Sequence, residues 1–321
     1  MDALPPVAGE VEDFPLRPVR ARGGLRAPSP ARTASMPTAN APAKINLCLD
    51  ILCRREDGFH EIATLFSEVG VADALHAEAA AEDSLSVDGP FAEGVPADAG
   101  NLVLRAVAAL RSELGICAPG VAIRLTKNLP HGAGLGGGSS DAAAALRLAN
   151  GLWGSPATPE VLAAVAARIG SDCAFFVRGG AAVGRGRGEI LEPVALRRRA
   201  DIVLVKPPAG VPTREAYAAL SPERDFGERS ALAALAAWVA DAGPWPREVH
   251  NAFQRSVAER VPEVGTALDL LRARGARFAM LCGSGSACFG IFATAVEAAS
   301  AAESIRGATG WWAVATTPGA P

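Results

Sequence analysis

The chain has 321 residues, half of them hydrophobic, with a formal charge of −3 and only four histidines. That length holds two ordinary domains or one large one. The charge balance excludes a strongly basic nucleic-acid binder, no apolar run approaches the roughly 18 residues of a membrane span, and no histidines are spaced as a ligand pair for zinc.

Residues 1–38 are rich in Pro, Arg, Ala and Gly and hold one aromatic residue, Phe14. They cannot bury enough apolar surface to offset chain entropy, so a disordered extension is expected. A secretory signal would need a continuous apolar stretch, and Asp2, Glu10, Glu12 and Asp13 argue against an organelle transit peptide. Met36, just ahead of the first ordered pattern, is an alternative start. From Ala43 the pattern changes: Ile45, Leu47, Leu49 and Ile51 alternate with Asn46, Cys48 and Asp50, a strand signal. Arg54–Gly58 reads as a turn, and Glu61 to Val71 as further extended chain. Asn101 caps a helix with Leu102, Val103, Ala106, Val107 and Leu110 on one face. Val121, Ile123 and Leu125 alternate again. The alanine-rich run Ala142–Leu152 is a strong helix former, with Ser139, Ser140 or Asp141 as its cap. Thr158-Pro159 opens another helix. Ala174–Val177 and Ala181–Val183 are expected to be short strands.

The composition shifts at Leu196–Asp201, where Arg197–Arg199 reads as a solvated turn. Ile202–Val205 is a strand, and Thr213 caps a helix holding Tyr217. Further helices are expected near Ala231–Ala240, Glu263–Arg274 and Val296–Ile305. Strands are expected at Phe278–Cys282, Ala287–Phe292 and Trp312–Thr316. Helices and strands mix without a strict βαβ repeat, which predicts an α+β protein with two lobes joined near residues 180–200. The six cysteines (Cys48, Cys53, Cys117, Cys173, Cys282 and Cys288) form no C-x-x-C pair, and reduced thiols in a cytoplasmic protein are expected.

Between Val121–Leu125 and the alanine-rich helix lies Leu129-Pro-His-Gly-Ala-Gly-Leu-Gly-Gly-Gly-Ser-Ser140. Glycine lets a ligand approach the backbone closely. Free N–H groups at a helix N-terminus, with the positive end of its dipole, attract anions. Pro130–Ser140 is therefore expected to bind phosphate: Pro130, His131, Gly132, Ala133, Gly134, Leu135, Gly136, Gly137, Gly138, Ser139 and Ser140. Gly132, Gly134 and Gly137 also satisfy the dinucleotide pattern G-x-G-x-x-G, so an oxidoreductase remains open from the loop alone. No Gly-Lys-[Ser/Thr] follows, which excludes a P-loop. An acidic residue about 20 positions on exists only as Glu160, at a helix start and not a strand end.

Three separated segments together resemble the GHMP kinase family: Pro42-Ala-Lys-Ile-Asn-Leu47, the glycine loop, and Cys282-Gly-Ser-Gly-Ser-Ala-Cys-Phe289. The resemblance runs from about Ala41 to Thr316. It implies a two-lobed α+β fold, a ribosomal-protein-like ATP-binding lobe at 39–190 and a ferredoxin-like lobe at 191–321, with substrate between them. Arg54-Arg-Glu-Asp-Gly-Phe-His-Glu61 and Gly170-Ser-Asp-Cys-Ala-Phe-Phe176 resemble the branch that phosphorylates the 2-hydroxyl of a CDP-linked methylerythritol for isoprenoid precursors. Mevalonate- and homoserine-type acceptors are the alternatives within the family. Cys173-Ala174 replaces the Val-Pro usual there, and Phe59 replaces a common tyrosine.

By this resemblance Asp172 is the general base and Lys44 the cation that keeps it ionised. Asn46, on the same strand face as Lys44, is a substrate contact. Phe59 and Tyr217 are expected to stack on the cytosine and His60 to hydrogen-bond it. Gly283 and Ser284 belong to a second glycine turn that closes over substrate. ATP and Mg²⁺ are the implied cofactors, with Ser140 and then Asp141 as metal neighbours and no protein metal cluster. The implied partner is the small molecule, with neither nucleic acid nor membrane, in a monomer or weak homodimer.

Overall fold

The computed structural model describes residues 37–319. The expectation for residues 1–38 therefore lies outside the described residues except at its end, where Thr38 already opens a strand. The first part of the chain runs β1 (Thr38–Arg54), β2 (His60–Ala80), β3 (Ser84–Asp88), α1 (Leu102–Leu114), β4 (Gly120–Thr126), α2 (Gly137–Leu152), α3 (Pro159–Ile169), α4 (Cys173–Arg178), β5 (Ala181–Arg185) and β6 (Ile190–Val194). Its sheet has the order β3-β4-β2-β5-β6, with β1 also paired to β2. The rest runs β7 (Asp201–Lys206), α5 (Thr213–Ala218), α6 (Pro222–Asp225), α7 (Leu232–Val239), α8 (Gln254–Arg260), α9 (Pro262–Ala273), β8 (Phe278–Leu281), β9 (Cys288–Phe292), α10 (Ala295–Thr309) and β10 (Trp312–Thr316). Its strands form an antiparallel sheet in the order β10-β7-β9-β8. Among the described residues, no helix is long and apolar enough to cross a membrane.

The strand β1 carries the expected alternation, but both of its faces are buried from Ala41 to Leu49, Asn46 and Cys48 included. Its polar residues are enclosed by different neighbours: Asn46 by Lys44 and Thr64, Cys48 by the cluster that holds Leu232 and Leu235, and Asp50 by Ser230 and His250, while α2 packs on the strand as well. Alanines make that approach possible: Ala142 to Ala145 are all fully buried, and their small side chains let the helix sit close to the sheet. The strand β4, which leads into the glycine loop, pairs antiparallel with β2 and parallel with β3. After α2 the chain returns as β5, which pairs antiparallel with β2. The loop therefore lacks the parallel βαβ crossover that a dinucleotide fingerprint requires.

Three local expectations are corrected. Ala174–Val177 is part of α4 and not a strand; a short, unbroken apolar run carries no periodicity to distinguish the two. The helix α2 starts earlier than its serines, with Gly136 at its N-cap in a left-handed conformation (φ 74°) and no side-chain cap. Ser139, Ser140 and Asp141 thus lie inside the helix. Thr213 is the first helical residue of α5, after Pro212 at the N-cap. By contrast Asn101 and Thr158 do cap α1 and α3, accepting from Val103 N–H and Val161 N–H.

Candidate active site

A cleft of about 1370 Å³ gathers the chemistry-bearing segments. One wall is the glycine loop, held in place from both sides. Lys44 N–H donates to Leu135 O at 2.9 Å, tying the loop to β1. Ala287 N–H donates to Ala133 O at 3.1 Å, tying it to the second glycine turn. Gly134 marks the closest approach of the two turns: its φ is +76°, and a Cβ there would lie 2.0 Å from the Cys282 carbonyl oxygen. Gly136, also left-handed, would drive a Cβ into the Phe176 ring at 2.8 Å. Both positions need glycine for conformation and for space.

Lys44 is buried, and its Nζ donates to Asn46 Oδ1 at 2.7 Å while standing 3.6 Å from Asp172 Oδ2. Asn46 Nδ2 donates to Thr64 Oγ1 at 2.8 Å, and Thr64 Oγ1 donates to Cys48 O at 2.6 Å. This chain of contacts fixes the ammonium from behind. Asp172 sits at the N-cap of α4 but makes no capping hydrogen bond. Its carboxylate is 31% exposed and lines the cleft. Packing anchors the helix under it: Phe175 and Phe176 are buried with Phe66, Ala143 and Ala182. Arg147 Nη1 donates to Phe176 O at 2.7 Å.

Also lining the cleft, His60 stacks on Tyr217 with ring centroids 4.9 Å apart. Phe253 meets Tyr217 edge-on at 4.8 Å. Burial and the nearby Arg54 hold His60 below the ordinary histidine range, so it is a neutral donor and acceptor near neutral pH. Burial pushes the Tyr217 hydroxyl up to about 12. Phe59 stands apart from this stack: it is 53% exposed, with the Arg187 guanidinium 4.7 Å from its ring centroid. The second turn is steadied by hydroxyls of Thr213 and Ser284 3.2 Å apart and by Asn251 Nδ2, which donates to Gly283 O at 2.9 Å.

A buried ion triad underlies the glycine loop. Lys127 Nζ donates to both Asp73 and Asp141, the latter at 2.7 Å. Asp73 Oδ1 also accepts Asn128 N–H at 2.6 Å and Leu129 N–H at 2.8 Å. The triad therefore joins β2, the entry to the loop and the second turn of α2. Burial, helped by Asp73 and opposed by Lys127, pushes Asp141 up to about 7. Burial alone would lower Lys127, but Asp141 and Asp73 outweigh it and hold the ammonium above the ordinary range.

The cleft brings together Lys44, Asn46, Phe59, His60, Asp172, Tyr217, Gly283, Ser284 and every loop residue from Pro130 to Ser139. His131 is exposed at its rim. Ser140 alone of the expected residues does not line it; it is fully buried in α2 and its Oγ has no hydrogen-bond partner. Sequence reasoning missed Lys127, Asp73, Arg187 and Asn251. Lys127 offered one signal, a lone lysine between a strand and the loop; the others depend on contacts far apart in the chain.

Family models of the GHMP kinases match at residues 101–180, as their N-terminal domain, and at residues 225–309, as their C-terminal domain. The chain is 39% identical over 285 residues to the 4-diphosphocytidyl-2-C-methyl-D-erythritol kinase of Brucella abortus, covering 86% of this chain and 93% of that protein. It is 37% identical over 252 residues to the enzyme of the same name from Shouchella clausii, covering 78% and 84%. A crystal structure of 4-(cytidine 5'-diphospho)-2C-methyl-D-erythritol kinase superposes with a TM-score of 0.75 at 37% identity, covering 88% of this chain and 99% of that one. The L. major mevalonate kinase shares the fold at a TM-score of 0.64 and 13% identity, covering 91% and 98%.

Proposed function

Because the chain belongs to the GHMP kinase family, we propose that it transfers the γ-phosphoryl group of ATP to the 2-hydroxyl of 4-diphosphocytidyl-2-C-methyl-D-erythritol, a step toward isoprenoid precursors. One observation carries this reading. The Lys44–Asp172 pair lines one cleft together with the glycine loop and the His60–Tyr217 stack.

In this assignment the loop N–H groups from Gly132 to Ser139 and the N-terminus of α2 hold the nucleotide phosphates. Asp172 takes the proton of the acceptor hydroxyl as its oxygen attacks the γ-phosphorus, and ADP leaves. Lys44, 3.6 Å from Asp172, orients the attacking oxygen. Asn46 holds Lys44 in place. His60, with Phe59 and Tyr217, receives the cytosine, which has hydrogen-bonding edges and two faces for stacking. Gly283 and Ser284 close the substrate side.

Among the described residues, no three His, Cys, Asp or Glu side chains converge on a metal position. Ser140 Oγ and Asp141 Oδ1 are buried beside the loop without partners. One hydroxyl and one carboxylate fit Mg²⁺, which binds through few protein oxygens and many from phosphate and water. Asp141, which lines the cleft, would hold it, with the buried Ser140 Oγ next to it in α2. Its chemistry there is charge neutralisation on the nucleotide phosphates.

An ADP-release assay with ATP and Mg²⁺ and three acceptors in parallel tests the proposal. Turnover is expected with the CDP-linked methylerythritol and not with mevalonate or homoserine. Turnover of either of the latter, with the CDP-linked alcohol untouched, would overturn the substrate assignment.

A further inference from the structure

A second cavity, of about 470 Å³, opens beside β8, the edge strand of the second sheet. Its charged lining is His250, Arg255, Arg272 and Arg277, and neither Asp nor Glu lines it. Asp225 and Asp269 fix Arg255 and Arg272 from outside the lining, at 2.5 and 2.9 Å. Asp50, buried beneath, lies 3.1 Å from His250 Nδ1. Arg277 has no ion-pair partner among the described residues and is exposed. The Arg272–Asp269 pair is mostly exposed and so contributes little to stability. Guanidiniums around a cavity without carboxylates suit oxyanions, and their planar forks match phosphate oxygens in pairs.

The cavity shares a structural segment with the cleft. Asn251 and Gln254 line the cavity. Asn251 Nδ2 donates to Leu281 O and to Gly283 O, both at 2.9 Å, and Gln254 Oε1 accepts Leu281 N–H at 3.0 Å. Between them in sequence, Phe253 lines the cleft and packs on Tyr217. One short segment thus has Asn251 and Gln254 in the cavity, Phe253 in the cleft, and hydrogen bonds both to Leu281, where β8 enters the second glycine turn, and to Gly283 in the turn itself.

We propose that this cavity binds a small diphosphate-bearing anion and that its occupancy acts on the second glycine turn through Asn251 and Gln254. The binding half stands apart from the kinase assignment; only the transmission half rests on it.

Calorimetric titration of the full chain with inorganic pyrophosphate tests the binding half. A site is expected that persists with excess ADP and weakens at least about tenfold in the Arg272→Ala/Arg277→Ala double variant. If the double variant does not fold, the single Arg277→Glu change, at an exposed position, is expected to weaken binding to the same degree. Absence of binding would overturn the proposal. So would binding that ADP displaces and the arginine variants leave unchanged, because the cleft would then be the site. A short alkyl diphosphate, titrated in parallel, identifies the source: tighter binding than pyrophosphate points to an ester using Val249, Phe278 and Met280, and equal binding points to the free anion. In steady-state assays, saturating pyrophosphate is expected to change the acceptor KM by at least about twofold in the wild type and not in the double variant. Calorimetric binding without that change would refute the transmission.

Discussion

Replacing Gly134 with alanine would strike the point where the two glycine turns touch. The new Cβ would lie 2.0 Å from the Cys282 carbonyl oxygen and 3.0 Å from Gly285 N, while ordinary contact begins at 3.4 Å. The partner atoms are backbone, so no side chain can rotate away. The turns would have to part by about 1.4 Å, the difference between the required and available distances. A misplacement of about 1 Å at reacting groups costs roughly 10²-fold in rate. The left-handed backbone adds a cost of about 1–2 kcal/mol for a residue with a Cβ. Gly132→Ala is the matched control, because Gly132 is also left-handed (φ +61°) but its Cβ would meet no atom within 4 Å. Steady-state ADP release should therefore show kcat/KM about 10²-fold lower for Gly134→Ala than for Gly132→Ala. Matching values would refute the idea that contact between the turns sets the cleft geometry.

Asp172→Asn keeps shape but removes the proton acceptor; kcat should fall at least about 10²-fold with ATP affinity unchanged, and near wild-type turnover would remove Asp172 from that role. Asp141 binds its proton more tightly folded than unfolded, since burial lifts it from about 3.8 to about 7. Its stabilising contribution is complete below about pH 4 and is lost as the pH rises through 7. Asp141→Asn should narrow the Tm difference between pH 5 and pH 8 by at least about 2 °C; an unchanged difference would count against a titrating Asp141. Burial pushes the thiols of Cys48 and Cys282 up to about 12, Cys173 up to about 11 and Cys288 well above the ordinary range. A thiol reagent should label only the exposed Cys53 and Cys117 in the native protein and all six after denaturation, as counted by mass spectrometry.

Short-range patterns carry the part of the fold that is legible in the sequence. The strand from Trp312 to Thr316 has its expected ends, because turn residues and alternation bound it on both sides. Asn101 and Thr158 announce helix starts because a cap acts within three residues of itself. Ala174–Val177 misleads because four consecutive apolar residues look alike in either conformation. At the site, Lys44 and Asp172 are reached through motif resemblance, and their 3.6 Å separation spans 128 positions that no local pattern links. The expected placement of cytosine between Phe59 and Tyr217 does not anticipate that His60, and not Phe59, lies on Tyr217. The ion triad is invisible in the sequence because Asp73 lies in a strand, Lys127 before a loop and Asp141 in a helix, and only tertiary pairing makes them one unit.

The strand β1 has a consequence for how this chain is made. Its residues enter three separate hydrophobic clusters: Ala41 in one, Ala43, Ile45 and Leu47 in another, Leu49 and Ile51 in a third. The second of these also contains Ile202, Leu204 and Phe289, and the third contains Phe292 and Ile305. On the ribosome the strand emerges long before those partners exist. At roughly 5–20 residues per second, the apolar face waits about ten seconds or more for the strands that cover it. A nascent chain stopped before Asp201 could already set Leu65, Val69, Leu129 and Leu135 against Ala43, Ile45 and Leu47, but it would lack Ile202, Leu204 and Phe289, so the cluster around β1 closes only when translation is nearly finished.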